Sequence, residues 1–341
     1  MIFSKCLVLI LALLGAESVN AAPEIPTFRG INLGAAAMGS KVIPGKHGTN
    51  YLWPTAAEIA IYANAGFNTL RIPFLWERMQ PQLQLPFNSD ELERLDGVVA
   101  AASSNKVTVV LDLHNYGDYR GEMIGSPNVP VSAFEDFWSR VAARYKDKPY
   151  VAFGLMNEPN KHKADEWAPI AQAGVSAIRR TGAKQLILVP GTRWSGAYSW
   201  LAKDGKLSNA EALGGMTDPE NNFVFEMHQY FDSNSSGMST SCVDENIGVK
   251  RIQTVTTWLR TTGHRAFLGE FGASKEPICL KALENTLAYM EKNGDVWRGW
   301  TYWGAAKWFG DYMFNIYPPD ASRFPQMKVI EYFLPHIAPG K

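Results

Sequence analysis

The stretch VAFGLMNE, Val151 to Glu158, decides the fold. It is an apolar run of strand length that stops on an amide and a carboxylate, with Pro159 next. A short continuous apolar run suits a strand buried on both faces, as in a parallel sheet. A carboxylate at the edge of a core is costly unless something there uses it. Seven more runs follow the same plan: FRGINL (28–33), FNTLRIPF (67–74), VTVVLDLH (107–114), QLILVPG (185–191), NFVFEMHQY (222–230), AFLGEF (266–271) and VWRGWTYW (296–303).

Helical patterns separate the runs. Phe134, Phe137, Trp138, Val141, Ala142 and Tyr145 recur at helical spacing behind Ser132-Ala133-Phe134-Glu135, which reads as a capping box. Thr55-Ala56-Ala57-Glu58 repeats that signature, and Asp90-Glu91-Leu92-Glu93 opens a helix that turns Leu92, Leu95, Val98, Val99 and Ala102 inward. Strands alternating with helices predict a single-domain (β/α)8 TIM barrel. A doubly wound open sheet would want a glycine-rich phosphate turn after the first strand, and none follows it here.

Residues 1–21 read as an export signal: Lys5, the apolar CLVLILALLGA, then small residues around Ala21 and Ala22. The barrel is therefore expected over 22–341, in a secreted protein that neither spans nor binds a membrane. Removal of Cys6 with the signal leaves Cys242 and Cys279, which most simply form one disulfide. The 33 basic and 33 acidic residues cancel and form no basic stripe, which argues against a nucleic-acid partner. Nothing points to a cofactor or to more than a monomer.

In such a barrel, reacting groups gather at the C-terminal strand ends. Read in order, those ends deliver Arg71, His114, Asn157 with Glu158, His228 with Tyr230, Glu270, and Trp303. Any one alone is an ordinary hydrogen-bonding or ion-pairing residue; together they read as a site. Glu158 ends the fourth run and Glu270 the seventh, so they face each other across the barrel mouth. Glycoside hydrolysis uses such a carboxylate pair, one protonating the departing oxygen while the other attacks the anomeric carbon or activates water. Arg71, His228 and Tyr230 would hold one glutamate ionised, and the other would need drier surroundings to stay protonated. The strand ends alone leave open which is which.

The segments LMNEP (155–159), MHQY (227–230), LGEFG (268–272) and WTYW (300–303), with FNTLRIPF and DLHNYG (112–117), resemble glycoside hydrolase family 5 over essentially the whole mature chain. The resemblance implies a retaining mechanism with Glu158 as acid/base and Glu270 as nucleophile. It implies that Asn157 bonds the sugar 2-hydroxyl, that Tyr230 lies beside the nucleophile, and that Trp303 floors the site. Arg71, His114 and His228 would complete the hydrogen-bond frame. Retention in turn sets the two carboxyl groups about 5–5.5 Å apart, whereas about 8 Å or more would count against it.

Within the family, RGINLGA (29–35), DLHNYGDYRG (112–121) and YWGAAKWFGDY (302–312) look most like secreted endo-β-1,4-glucanases, so the expected substrate is a β-glucan. The last segment departs from the family pattern: Lys307 stands where a proline is usual and Phe309 where a second tryptophan is. Trp76, Trp194, Trp200, Trp303 and Trp308 lie past strand ends and are candidate subsite walls, because pyranose faces pack on aromatic rings. Trp138 and Trp258 fit helical stripes and are expected in the core. Alternatives are other family specificities (mannan, β-1,3-glucan, xylan) and a non-catalytic sugar-binding barrel. A metal hydrolase would want clustered histidines, yet no His-x-His occurs. His47, His162, His264 and His336 read as loop residues without a task, and Asn234-Ser235-Ser236 is a glycosylation sequon.

Overall fold

A computed structural model describes residues 27–335, so the expected signal peptide and His336 lie outside the described residues. All eight apolar runs are strands: β1 (Phe28–Asn32), β2 (Thr69–Phe74), β3 (Thr108–Leu113), β4 (Val151–Gly154), β5 (Ile187–Pro190), β6 (Phe223–His228), β7 (Ala266–Glu270) and β8 (Trp297–Tyr302). They close into one barrel in sequence order. Every neighbouring pair is parallel, and β1 bonds to both β2 and β8, which removes the sheet edge.

One helix follows each strand: α1 (Ala56–Asn64), α2 (Ser89–Ser104), α3 (Val131–Tyr145), α4 (Ala164–Arg180), α5 (Asn209–Leu213), α6 (Ile247–Thr262), α7 (Pro277–Lys292) and α8 (Pro325–Glu331). The Thr55 capping box is present, with the Glu58 N–H donating to Thr55 Oγ1 at 3.2 Å and the Thr55 N–H to Glu58 Oε2 at 2.9 Å. The box expected at Ser132 is not. Pro130 occupies the N-cap, and helical geometry begins at Val131, one residue ahead of the serine. The stripe behind it is as expected, with Phe134, Phe137, Trp138, Val141, Ala142 and Tyr145 all buried. Asn88, rather than an acidic residue, caps α2, accepting from the N–H groups of Asp90 and Glu91.

The core has two parts. The larger lies between strands and helices; the smaller, Val110, Ala152, Leu188, Val224 and Phe267, plugs the barrel interior. Alternation along a strand then dictates what lies above the plug. On β3 the interior face reads Val110, Asp112, His114; on β6 it reads Val224, Glu226, His228. The barrel axis therefore runs from apolar plug to buried charge to polar rim. Glu270 joins that rim through a register shift. Met227 pairs with Leu268 but His228 with Glu270, so the irregularity turns Glu270 inward although Phe267, three residues earlier, also faces inward.

Cys242 and Cys279 form the expected disulfide, with Cα atoms 5.3 Å apart. It ties the loop after β6 to the first turn of α7. A cross-link between residues 37 apart in sequence is worth about 4 kcal/mol on the loop-entropy model. The double variant C242S/C279S should lower stability by about 2–4 kcal/mol in urea unfolding.

Candidate active site

Arg71 ends up wholly buried at the centre of the barrel mouth. Its Nε donates to Glu226 Oε1 at 2.7 Å, Nη1 to Asn32 Oδ1 and Glu270 Oε1 at 3.0 Å each, and Nη2 to Asn157 Oδ1 at 2.9 Å. Asp112 Oδ2 lies 3.2 Å from Nη1. One guanidinium thus gathers groups from β1, β3, β6 and β7 and from the end of β4. Planar, delocalised and permanently charged, it suits such a multidentate role.

Around it stand the other expected rim residues. His114 Nδ1 is 2.7 Å from Asp112 Oδ2, and its ring lies 12° from parallel with that of Trp303, 6.0 Å away. Tyr230 donates its hydroxyl to Glu270 Oε2 at 2.9 Å and stacks on Phe314. His228 bridges the glutamates: Nδ1 is 2.6 Å from Glu158 Oε1 and 3.7 Å from Glu270 Oε2. One carboxylate oxygen of each glutamate and a ring nitrogen of His228 all lie within 4.8 Å of one another. Such a donor set suits a metal ion by type, but here the negative charge is already met by Arg71 and His228.

Two backbone irregularities aim this chemistry. Glu158 is a non-glycine residue with φ 41°, a left-handed conformation that costs about 1–2 kcal/mol. Arg193, Trp194 and Ser195 are left-handed in succession, with φ 55°, 55° and 53°. Ser195 anchors that turn. Its hydroxyl donates to the Glu226 carbonyl at 2.5 Å, and its own carbonyl accepts from the His228 N–H at 2.9 Å. The turn holds Trp194, 58% exposed, on the wall of a cavity of about 430 Å³ shared with Glu158, Tyr198, His228, Tyr230 and Asn234. A cavity of about 310 Å³ at the opposite barrel end includes no carboxylate in its lining.

The glutamates are driven apart electrostatically. Burial dominates at Glu158 and raises its pKa above the ordinary carboxylate range, partly offset by the His228 hydrogen bond. Burial also opposes the charge of Glu270, but His228 and Arg71 together outweigh it and hold that carboxyl below its ordinary range. At His228, burial works against protonation, yet the Glu270 charge and the hydrogen bonds to Glu158 and Glu226 push the ring up to about 10. The site therefore sets a carboxyl whose charged form is disfavoured beside one whose charged form is favoured.

A family model described as Cellulase (glycosyl hydrolase family 5) matches residues 27–306. The chain belongs to glycosyl hydrolase family 5. Endo-beta-1,4-glucanase B of Aspergillus niger is 36% identical to this family 5 hydrolase over 307 residues, 89% of each chain. Among solved structures, the endo-beta-1,4-glucanase Xac0029 from Xanthomonas axonopodis pv. citri has 43% identity and a TM-score of 0.88, with 92% of this chain and 99% of its own covered. XacCel5A in complex with cellopentaose has 45% identity and a TM-score of 0.87, covering 90% and 98%. The protein is accordingly a glycoside hydrolase on a TIM barrel.

Not every expected aromatic of this family 5 hydrolase reaches the cleft. Trp76 is fully buried among Tyr119, Phe134 and Phe137, with its indole N–H on Gln80, so it is core rather than subsite wall. It opens a short helical turn, Trp76–Met79, that folds it back beneath the rim. Trp200 is likewise buried, against Phe225 and Trp258. Trp258 is partly buried against the core, and Trp138 fully so, as expected. Trp308 lines a separate small recess with Leu33, Trp53 and Tyr62. His162 lies in a loop, as expected, but is buried: it is 2% exposed and its Nε2 lies 2.8 Å from the Ile124 carbonyl. Asn32, Asp112 and Glu226 escaped the sequence reading. Their signal was a charged or amide residue inside an apolar strand, and for the acids an acid-x-His spacing that puts both side chains on one face.

The His228 environment carries a pH signature. Its folded pKa lies above the ordinary 6.5, so its stabilisation is complete below that pH and is lost as pH rises toward 10. Stability of the wild type should fall over that interval by a few kcal/mol, on the order of 2–4. The H228Q variant should show a flatter dependence in thermal unfolding across the same range.

Proposed function

We propose that the protein is a secreted endo-β-1,4-glucanase that cleaves internal bonds of a β-glucan with retention of configuration. The observation that carries this is the pair of glutamate carboxylates, oxygens within 4.8 Å, one raised in pKa and one lowered. That spacing favours a covalent intermediate, because an inverting enzyme needs room for a water between sugar and base, about 6.5–9.5 Å between carboxyls.

In the first step Glu270 attacks the anomeric carbon while Glu158 gives its proton to the departing glycosidic oxygen. The bond from anomeric carbon to oxygen breaks and a glycosyl ester on Glu270 forms. Glu158, now ionised, takes a proton from water as that water's oxygen displaces Glu270, restoring both carboxyls. Arg71 and the Tyr230 hydroxyl stabilise Glu270 as nucleophile and as leaving group. Asn157, held by Arg71, is assigned to the sugar 2-hydroxyl. Trp303 is assigned the floor of the cleft and Trp194 a wall, where pyranose faces stack.

The β-1,4-glucan assignment draws support from the named activity of the Aspergillus relative and from the cellopentaose held by XacCel5A. Phe309, where a tryptophan was expected, packs on Trp303 at 6.1 Å and fills the space left by Gly34, so the floor keeps an aromatic support. Export, with residues 1–21 removed and 22–341 as the mature domain, fits the disulfide, since disulfides persist in oxidising compartments. No helix among the described residues is long and apolar enough to cross a membrane. A monomer acting on neutral polysaccharide, without nucleic acid or cofactor, accounts for the site.

Reducing ends should appear fast from carboxymethyl-cellulose and far more slowly from mannan, xylan and laminarin. Preference for one of the latter would move the substrate and keep the mechanism. E270Q should lose at least about 10³-fold in kcat, since the nucleophile acts in the transition state. E158A should lose far more on cellulose than on an aryl cellobioside whose leaving group needs no proton. Equal loss on both would remove Glu158 as the acid.

A further inference from the structure

Beneath the rim lies a buried carboxylate that the double displacement does not use. Glu226 is fully buried, and its Oε1 accepts from Arg71 Nε at 2.7 Å and stands 3.5 Å from His228 Nε2. Its other oxygen, Oε2, has no partner among the described residues. A buried acid with one bare oxygen is a liability that a neutral isostere would relieve. Neighbouring sequence nonetheless makes room for it: any Cβ at Gly269 would sit 2.3 Å from Glu226 Oε1. The residue just before the proposed nucleophile is thus a glycine where the carboxylate requires one.

We propose that Glu226 is a positioning residue for the glycosidase reaction: its carboxylate keeps a proton on Nε2 of His228 and anchors Arg71, and so leaves Nδ1 of His228 to share a proton with Glu158 while Arg71 is held against Glu270. This rests on the assignment of Glu158 as acid and Glu270 as nucleophile. The geometry is a relay of contacts between 2.6 and 3.5 Å. Glu226 touches Arg71 and His228; Arg71 touches Glu270, and His228 touches Glu158. With Nε2 facing an anion, the tautomer with a bare Nε2 would set two acceptors against each other, so the second proton site of the ring is Nδ1. That nitrogen lies 2.6 Å from Glu158 Oε1.

The charged and titratable groups around this relay are Arg71 on β2, Asp112 and His114 at β3 with Tyr116 just beyond, Glu158 after β4, Tyr230 after β6, Glu270 on β7 and Tyr312 after β8. The loop after β5 brings the uncharged Ser195 to the Glu226 backbone and places Arg193 on the wall of the cavity that Glu158 and His228 share. Removing the Glu226 charge therefore leaves Arg71 and His228 with fewer anions and lowers the proton affinity of every carboxyl in the set. Burial opposes the charge of Glu226, but Arg71 and His228 outweigh it and hold its carboxyl below the ordinary range.

The E226Q variant keeps the shape and deletes the charge, so both limbs of its pH profile on carboxymethyl-cellulose should move to lower pH by about one unit. E226D keeps the charge and should hold the wild-type limbs even where its kcat falls. Unmoved limbs in E226Q with a lowered kcat would make Glu226 a packing residue and overturn the proposal. Should E226Q fail to fold, nitrogen-15 spectra of wild-type imidazoles decide, with the His228 signals identified by their loss in H228Q. Protonated Nε2 from about pH 5 to about pH 9 is expected, and a bare Nε2 at neutral pH would overturn it. E158A and E270Q run alongside: near-normal turnover in either would refute the acid and nucleophile assignment itself, whatever the His228 spectra show.

Discussion

Arg71 is the constraint on which the rest of this barrel mouth depends. A guanidinium with no exposed surface is tolerable only if its donors are met and its charge is balanced, and here three carboxylates and two side-chain amides do so. The partners come both from the strands flanking β2 and from β6 and β7 across the mouth, so the ion cluster ties opposite sides of the closed sheet together. Removing the cation would strand Asp112, Glu226 and Glu270 as buried anions, a change that costs several kcal/mol in comparable clusters. The centre of the site is therefore also a register lock for the fold.

Because the lock is electrostatic, it has chemical consequences. Arg71 reaches Glu270 directly but not Glu158, which lies on the far side of His228 and feels burial most. Two carboxyls of the same residue type thereby differ in proton affinity without any difference in their own chemistry. His228 is the hinge of that asymmetry, since it donates toward both glutamates and is closer to Glu158 by about an ångström.

Much of this was legible in the chain. Continuous apolar runs marked all eight strands because parallel barrel strands are buried on both faces. Their polar last residues marked the rim, because a terminal Asn-Glu or His has no place in a core. Asp112 and Glu226 were overlooked for the opposite reason: they sit inside the runs, where strand periodicity expects apolar residues. Only the two-residue offset to His114 and His228 betrayed them. Trp76 and Trp200 misled because position after a strand says nothing of the direction a loop then takes. Trp76 enters a helical turn that folds it under the rim, whereas Trp194 sits in a left-handed turn that holds it out. Backbone handedness at single residues is not written in hydropathy. Pro130 shifted a helix start by two residues for a similarly local reason.

The same division explains why chemistry is better determined than specificity. Groups assigned to bond breaking lie on or next to strands, where sheet hydrogen bonds and the Arg71 cluster fix them from several sides. Groups assigned to sugar binding hang from loops, each fastened by a few contacts: Trp194 through Ser195, Trp303 through the His114 ring and Phe309. Lys307 and Phe309 lie in such a loop, and their departure from the family pattern leaves every contact of Glu158 and Glu270 untouched. A barrel can thus exchange its sugar-binding walls without disturbing the proton balance below them. What it does not exchange freely is Gly269 or Glu226, for a Cβ added at Gly269 would come within 2.3 Å of Glu226 Oε1.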